Sequence, residues 1–222
     1  MKYIQRDNVI GKHYLSRLYN ILSRPDGNYP WFFLSEDVSY TASDDFMFGS
    51  MNLMEIPDVQ KAIGFTHVLL DSDGSMSPYY SEFAPLLDNI KDQFNGEINF
   101  FRARLALQLN NGKDSHNAAH TDSDRDHYAA LFYFHDSSGD TVFMDQYDDP
   151  ASGDIDQRWF RARTQKYTIQ KRVTPKANRL FAFDGHQFHS SSNPTTNNFR
   201  IILNLNFTSD DDLFATTDSN DD

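Results

Sequence analysis

Residues 98–109 read INFFRARLALQL. Side chains alternate across an extended chain. Arg102, Arg104 and Gln108, with Asn110 just beyond, therefore share one side. Phe101, Ala103, Leu105, Leu107 and Leu109 share the other. A strand with charge on one face and leucine on the other suits a wall whose polar side lines a cavity. It equally suits an ordinary half-exposed antiparallel strand, and alternation alone does not choose.

Similar short runs follow at 128–134 (YAALFYF), 141–146 (TVFMDQ), 167–173 (YTIQKRV), 179–183 (RLFAF) and 200–207 (RIILNLNF). Turn signals separate them: Ser137-Ser138-Gly139-Asp140, Pro175, Asp184-Gly185 and Asn193-Pro194. Many short strands without long helices between them predict an antiparallel sandwich or barrel. Upstream, residues 7–23 carry apolar residues at helical spacing, with Asp7 or Asn8 as the expected cap. Residues 79–93 repeat that spacing through Phe83, Leu86, Leu87 and Ile90. WFFLS and FTHVLL read as short strands and PDVQKAIGF as a helix. Helices gathered in the first ninety residues are expected to cover one outer face. The chain reads as one domain over 1–207, with helix-rich support over 1–95 and a β core over 96–207. The final fifteen residues hold six aspartates and are expected to form a loose acidic tail.

Composition narrows the chemistry. The 222 residues include 19 Phe and 11 Tyr, enough apolar bulk for a core. With no cysteine, disulfides, thiolate zinc sites, iron–sulfur clusters and cysteine nucleophiles are excluded. Any metal must be held by histidine, carboxylate and water. The net charge of −12 repels phosphate backbones, so nucleic acid is a disfavoured partner. The N-terminal stretch lacks an apolar signal region and no run of eighteen apolar residues occurs. The expectation is a soluble cytoplasmic protein.

The stretch NAAHTDSDRDHYAALFYF (117–134) contains His120-Thr121-Asp122 just before a strand. Positions i and i+2 of extended chain point the same way, so an imidazole and a carboxylate converge. A third ligand, on the same face of an ion, would complete the two-histidine, one-carboxylate set of Fe(II) oxygenases. His186 and His189 are candidates, followed by Arg200 at the start of a strand. His116, four residues before His120, allows an H-x-x-x-H zinc pair on a helix, although Gly112, Asp114 and Asn117 favour loop there.

The order H-x-D, then F-D-G-x-x-x-H, then an arginine about ten residues on resembles the 2-oxoglutarate/Fe(II) dioxygenases, especially their prolyl-hydroxylase-like branch. Pro175 to Asp184 (PKANRLFAFD) is similar to that branch's P-x-x-G-R-L-x-x-F-D, with Asn178 replacing glycine. Asn also tolerates left-handed backbone. GDTVFM partly matches the family's G-G-x-T-x-F hairpin. The likeness spans roughly residues 100–207; residues 1–95 match poorly, although the layout looks like small phage or bacterial members. His189 lies 11 positions before Arg200 and His186 lies 14 before it; the family's spacing favours His189.

The resemblance implies a double-stranded β-helix (jelly-roll, cupin-like) and a hydroxylase using Fe(II), with 2-oxoglutarate as cosubstrate and ascorbate as a candidate accessory. It implies His120, Asp122 and His189 as metal ligands and Arg200 as clamp for the distal carboxylate. Tyr133 would add a hydroxyl to that carboxylate, Gln108 would reach the C1 end, and Arg104 and Asn204 would face the pocket. One branch repairs alkylated bases and places a second arginine six residues after the first. In this chain that residue is Asn206, so a peptide or protein side chain or a small metabolite is the expected substrate. The segment NYPWFFLSEDVSY (28–40) and His67 read as core and lid packing or as a substrate entrance. A catalytically silent or different-metal β-helix that binds a ligand is the rival reading.

Overall fold

The structure, a computed structural model, describes residues 1–24, 28–34, 64–112 and 116–215. A seven-stranded antiparallel sheet runs in the order β1-β8-β5-β10-β4-β3-β2, and a three-stranded sheet in the order β7-β6-β9. The strands are β1 (Tyr3–Asp7), β2 (Phe32–Leu34), β3 (Gly64–Leu70), β4 (Ile98–Leu109), β5 (Tyr128–Tyr133), β6 (Thr141–Tyr147), β7 (Ile169–Val173), β8 (Arg179–Asp184), β9 (Gln187–Ser191) and β10 (Phe199–Ser209). The helices are α1 (Lys12–Leu22), α2 (Tyr80–Lys91) and α3 (Ile155–Thr164).

Alternation in the central strands buries both faces of the large sheet. Ala103, Leu105, Ala130, Phe132, Leu180, Ala182, Leu203 and Leu205 pack with Leu18, Leu22, Phe83, Leu86 and Leu87 from α1 and α2. Their neighbours Ala106, Ala129, Leu131, Phe181, Phe183 and Ile202 turn the other way, with Phe143 of β6 and Val173 of β7. The helices thus cover one face, as their positions in the chain predict. The small sheet covers the other, and the polar residues of β4 and β10 lie between the sheets.

The alternation of β4 slips once. Asn206 pairs with Arg102 but Phe207 with Phe100, so Phe101 is an extra residue in a bulge. Phe100 therefore joins the helix-side core, while Phe101 sits beside His127 under the Arg125 guanidinium rather than with the leucines.

Other differences from the sequence reading concern ends and polar elements. Asp7 and Asn8 do not cap α1; Gly11 does, without a side-chain hydrogen bond. Asp7 instead closes β1 and pairs with Arg179. Asn178 takes φ +63°. Its side-chain oxygen accepts from the Ile10 amide at 3.0 Å and its Nδ2 donates to the Ile10 carbonyl at 2.6 Å. The residue standing where the motif has glycine thus clasps the N-terminal segment. Strands β1 and β9 and helix α3 escaped the pattern reading. Thr208 and Ser209 continue β10, Leu213 packs on the core and Phe214 meets Tyr128 edge to face, so 208–215 is not loose tail. The helix expected at PDVQKAIGF falls largely on residues outside those described. No described helix is long and apolar enough to cross a membrane.

His67 belongs to the packing. Its ring lies among Tyr29, Phe32 and Tyr79, and its nitrogens meet the Pro30 carbonyl (2.8 Å) and Ser77 Oγ (2.7 Å).

Candidate metal centre

His120 sits on extended chain before β5 and is held there by β9. Its amide donates to the His189 carbonyl at 2.9 Å, and the His189 amide returns the bond at 3.0 Å. That bridge sets the two rings 4.7 Å apart, centroid to centroid. Asp122, two residues on, reaches the same point. The ligand atoms of His120, Asp122 and His189 all lie within 4.8 Å of one another.

The tautomers suit a metal. His120 Nδ1 faces the Ala118 carbonyl at 3.2 Å, and His189 Nδ1 faces the Gln187 carbonyl at 3.0 Å. A carbonyl only accepts, so each Nδ1 carries a proton and each Nε2 is the nitrogen turned toward the cluster. The Nε2 atoms lie 3.8 Å (His120) and 3.6 Å (His189) from Asp122 oxygens. Burial, helped by the neighbouring His189, pushes the His120 imidazole down to about 3 and keeps it neutral. Burial opposes ionisation of Asp122, but the neighbouring His189, and after it the Arg102 charge, outweigh it and hold its carboxyl well below the usual carboxylate range. Two imidazole nitrogens and one carboxylate, brought to one point, are a donor set that suits a divalent ion.

A cavity opens from this cluster between the sheets and reaches Arg200. Arg200 stands four residues before Asn204 on β10, about 13 Å along the strand. It is 1% exposed. NH1 donates to Gln108 Oε1 at 2.7 Å and NH2 to Thr141 Oγ1 at 2.6 Å, while Nε has no partner. No described carboxylate forms an ion pair with it. A buried guanidinium without a counter-charge is costly, and a ligand carboxylate would supply one. The cavity thus has a metal-type end and an anion-type end, which fits a dicarboxylate chelator such as 2-oxoglutarate.

No protein-family model matches the sequence, and no curated protein does. Solved structures do share its architecture. The non-haem alpha-ketoglutarate-dependent epimerase SnoN from nogalamycin biosynthesis superposes with a TM-score of 0.59 at 12% identity, over 94% of this chain and 78% of its own. A 2OG-Fe(II) oxygenase family protein from Burkholderia pseudomallei gives 0.57 at 11% identity, over 93% and 85%. A Pseudomonas putida prolyl-4-hydroxylase gives 0.53 at 14%, over 94% and 92%. The chain has the 2-oxoglutarate/Fe(II) oxygenase fold.

Within that oxygenase fold the remaining candidates separate. His186 Nε2 meets Asp126 Oδ1 at 2.9 Å, so it is His189, not His186, that groups with His120 and Asp122. His116 is not on a helix; 116 and 120 both bridge to the β9 side, at Ser192 and His189, which rules out the helical zinc pair. Gln108 lies at the Arg200 end of the cavity, opposite Arg200 in register. Its Nε2 donates to Ser191 Oγ at 2.6 Å. Tyr133 is fully buried behind Thr141, with 2.9 Å between their hydroxyl oxygens. Thr141, not Tyr133, lines the cavity. Thr141 was legible only as the threonine of the hairpin motif. Gly139, at φ +89°, makes the turn before it; an added Cβ would stand 2.7 Å from the Ser192 carbonyl oxygen. Arg104 and Asn204 line the cavity as expected. Outside it, α3 is pinned through Arg158 to Asp148. Together with Thr121 and Phe188 it borders a second, small hollow beside the ligand loop.

Proposed function

We propose that this chain is an Fe(II)- and 2-oxoglutarate-dependent oxygenase that hydroxylates a peptide side chain or a small metabolite, releasing succinate and CO₂. The observation that carries the reading is one cavity with a His-Asp-His cluster at one end and the buried Arg200, lacking an anionic partner, at the other.

His120, Asp122 and His189 would hold the iron, and Arg200 with Thr141 would hold the distal carboxylate of the cosubstrate. Iron and cosubstrate, when bound, supply the oxidising chemistry: decarboxylation to succinate consumes dioxygen and delivers one oxygen atom to the substrate. The chain supplies placement. Nδ1–H bonds to backbone carbonyls fix both imidazoles with Nε2 forward. A guanidinium fork suits a carboxylate because it is always charged and can meet both oxygens. Gln108 and Thr141 hold that fork from two sides. Leu131 and Ile202 line the middle of the cavity and exclude water.

Structures of similar fold are named both for small-molecule biosynthesis and, in a Trichoplax adhaerens prolyl hydroxylase with a TM-score of 0.53, for a bound peptide fragment. Both substrate types therefore stay within the proposal. The test is uncoupled turnover. Purified protein with Fe(II), 2-oxoglutarate and air should form succinate slowly, and His189→Ala should form none. Absence of succinate in the wild type, or its persistence in the variant, overturns the reading in favour of a silent or different-metal binding fold.

A further inference from the structure

Asp122 is gripped from behind as well as presented in front. On β10, Asn204 Nδ2 donates to Asp122 Oδ1 at 3.1 Å and to Oδ2 at 3.2 Å, and Asn206 Nδ2 donates to Oδ2 at 3.1 Å. Arg102 of β4, opposite Asn206 in register, donates to the Asp122 backbone carbonyl at 3.1 Å. Asn204 is 7% exposed and Asn206 1%. These are placements in a rigid central strand, whose intervening Leu203, Leu205 and Phe207 are fully buried in the core.

The amide orientations follow from chemistry. An ionised carboxylate only accepts, so both asparagines must turn their NH₂ groups toward Asp122. For Asn204 this has a consequence: Oδ1 points away and is left buried without a partner, and the residue lines the cavity. Nothing about packing requires a cavity-lining residue to turn its acceptor away in this manner. Holding the carboxylate is what Asn204 gains in exchange. The two oxygens are also unequal. Oδ2 carries amide bonds from both asparagines and Oδ1 from one, so Oδ1 keeps more lone-pair capacity.

We propose that Asn204 and Asn206 are positioning residues for the metal: together they lock the Asp122 carboxylate in one orientation, spend Oδ2 on amide bonds and leave Oδ1 as the ligand atom. Asn206, six positions beyond Arg200 on the same strand, thus serves the metal's support rather than the substrate. The inference rests on the metal-centre reading and adds to it two residues that touch neither iron nor cosubstrate.

The experiment is a cobalt titration of the metal-free full-length protein, followed by the visible d–d bands of Co(II), for the wild type, Asn206→Leu, Asn204→Leu and Asn204→Asp. Melting of each metal-free protein is recorded alongside. Loss of a partner that orients a ligand costs about 10–100-fold in metal affinity. Asn206→Leu and Asn204→Leu should each lose that much. Asn204→Asp, which keeps an oxygen at Oδ1 but loses the N–H donors, should lose at least as much as Asn204→Leu. If Asn204→Asp binds cobalt like the wild type, the N–H donors are not what matters and the proposal is overturned. If all variants bind like the wild type, the clamp is overturned while the metal centre stands. If affinity falls only in proportion to a fall in metal-free melting temperature, the residues are merely structural and the proposal is overturned again. Should a leucine variant fail to fold, the Ser variant at the same position is read by the same criteria. A wild type that binds cobalt tightly yet ignores 2-oxoglutarate would sink the oxygenase reading and leave the clamp intact.

Discussion

The two faces of β10 differ in kind although their residues alternate. Ile201, Leu203, Leu205 and Phe207 turn toward α1 and α2 and meet only hydrocarbon. Arg200, Asn204 and Asn206 turn toward the small sheet, where each is buried with a polar task. One strand thus carries the core and the site with a period of two. Stability is stored on one face and the cost of function is borne on the other. Rigidity passes between them because every site residue is flanked by two core residues.

That contrast can be broken most sharply at the metal. His189→Ala should abolish Fe(II) and Co(II) binding outright while leaving the fold, checked by metal titration and circular dichroism. The opposite face should behave in reverse. Leu203→Ala removes a fully buried side chain and should cost about 2–5 kcal/mol in urea unfolding, with cobalt affinity of the folded protein unchanged. Arg200→Met should weaken 2-oxoglutarate by about 2–4 kcal/mol in calorimetry at saturating metal. Metal affinity without cosubstrate should not change, and the metal-free protein should be no less stable, because a buried cation without a carboxylate partner has been removed.

Smaller effects lie at the edge of the sheet, where neither face is engaged. Asn178→Ala should cost about 1–2 kcal/mol, since it loses both bonds to Ile10 and keeps the left-handed backbone; Asn178→Gly should cost less because it relieves the backbone. The smallest concerns Asp7. Arg179, then Lys176, lower its carboxyl from 3.8 to about 2. The folded value lies below the unfolded one, so the pair's contribution is complete above about pH 4 and is lost as pH falls through 2. At this largely solvent-reached site it is about 1 kcal/mol or less. Comparing acid unfolding of the wild type and Asp7→Asn measures it.

The same contrast explains what the sequence disclosed. Elements whose alternation is driven by burial on both faces were legible: β4, β5, β8 and β10 read as strands at once. Strand β1 was not, because YIQRD at a sheet edge has one half-buried residue, Ile4, and four exposed ones. Strand β9, QFHSS, is buried through polar groups rather than apolar ones. Helix α3 is too polar for a periodicity argument, although Asp154, whose side chain accepts from the Gln157 amide at 2.9 Å, left a readable cap signal. The bulge at Phe101 turned a residue that simple alternation had placed with the leucines. At the site, His120 and Asp122 were legible because two ligands two apart on extended chain must converge. His189 and Arg200 were legible by family spacing. Asn204 and Asn206 were not: an asparagine inside a strand looks the same whether it faces solvent or a carboxylate, and only the register across β10, β4 and the ligand loop says which. Gln108 reads as cavity-facing from period two, while its place opposite Arg200 needs the pairing register.

The central claim is that one cavity holds a metal at one end and a dicarboxylate anchored by Arg200 at the other. Its most direct test is an anaerobic titration of 2-oxoglutarate into the Fe(II)-loaded protein, followed in the visible. A weak charge-transfer band should grow and saturate, should be missing in His189→Ala, and should require far more 2-oxoglutarate in Arg200→Met. A wild type fully loaded with Fe(II) that shows no band at saturating 2-oxoglutarate, or an Arg200→Met titration that overlays it, would contradict the account.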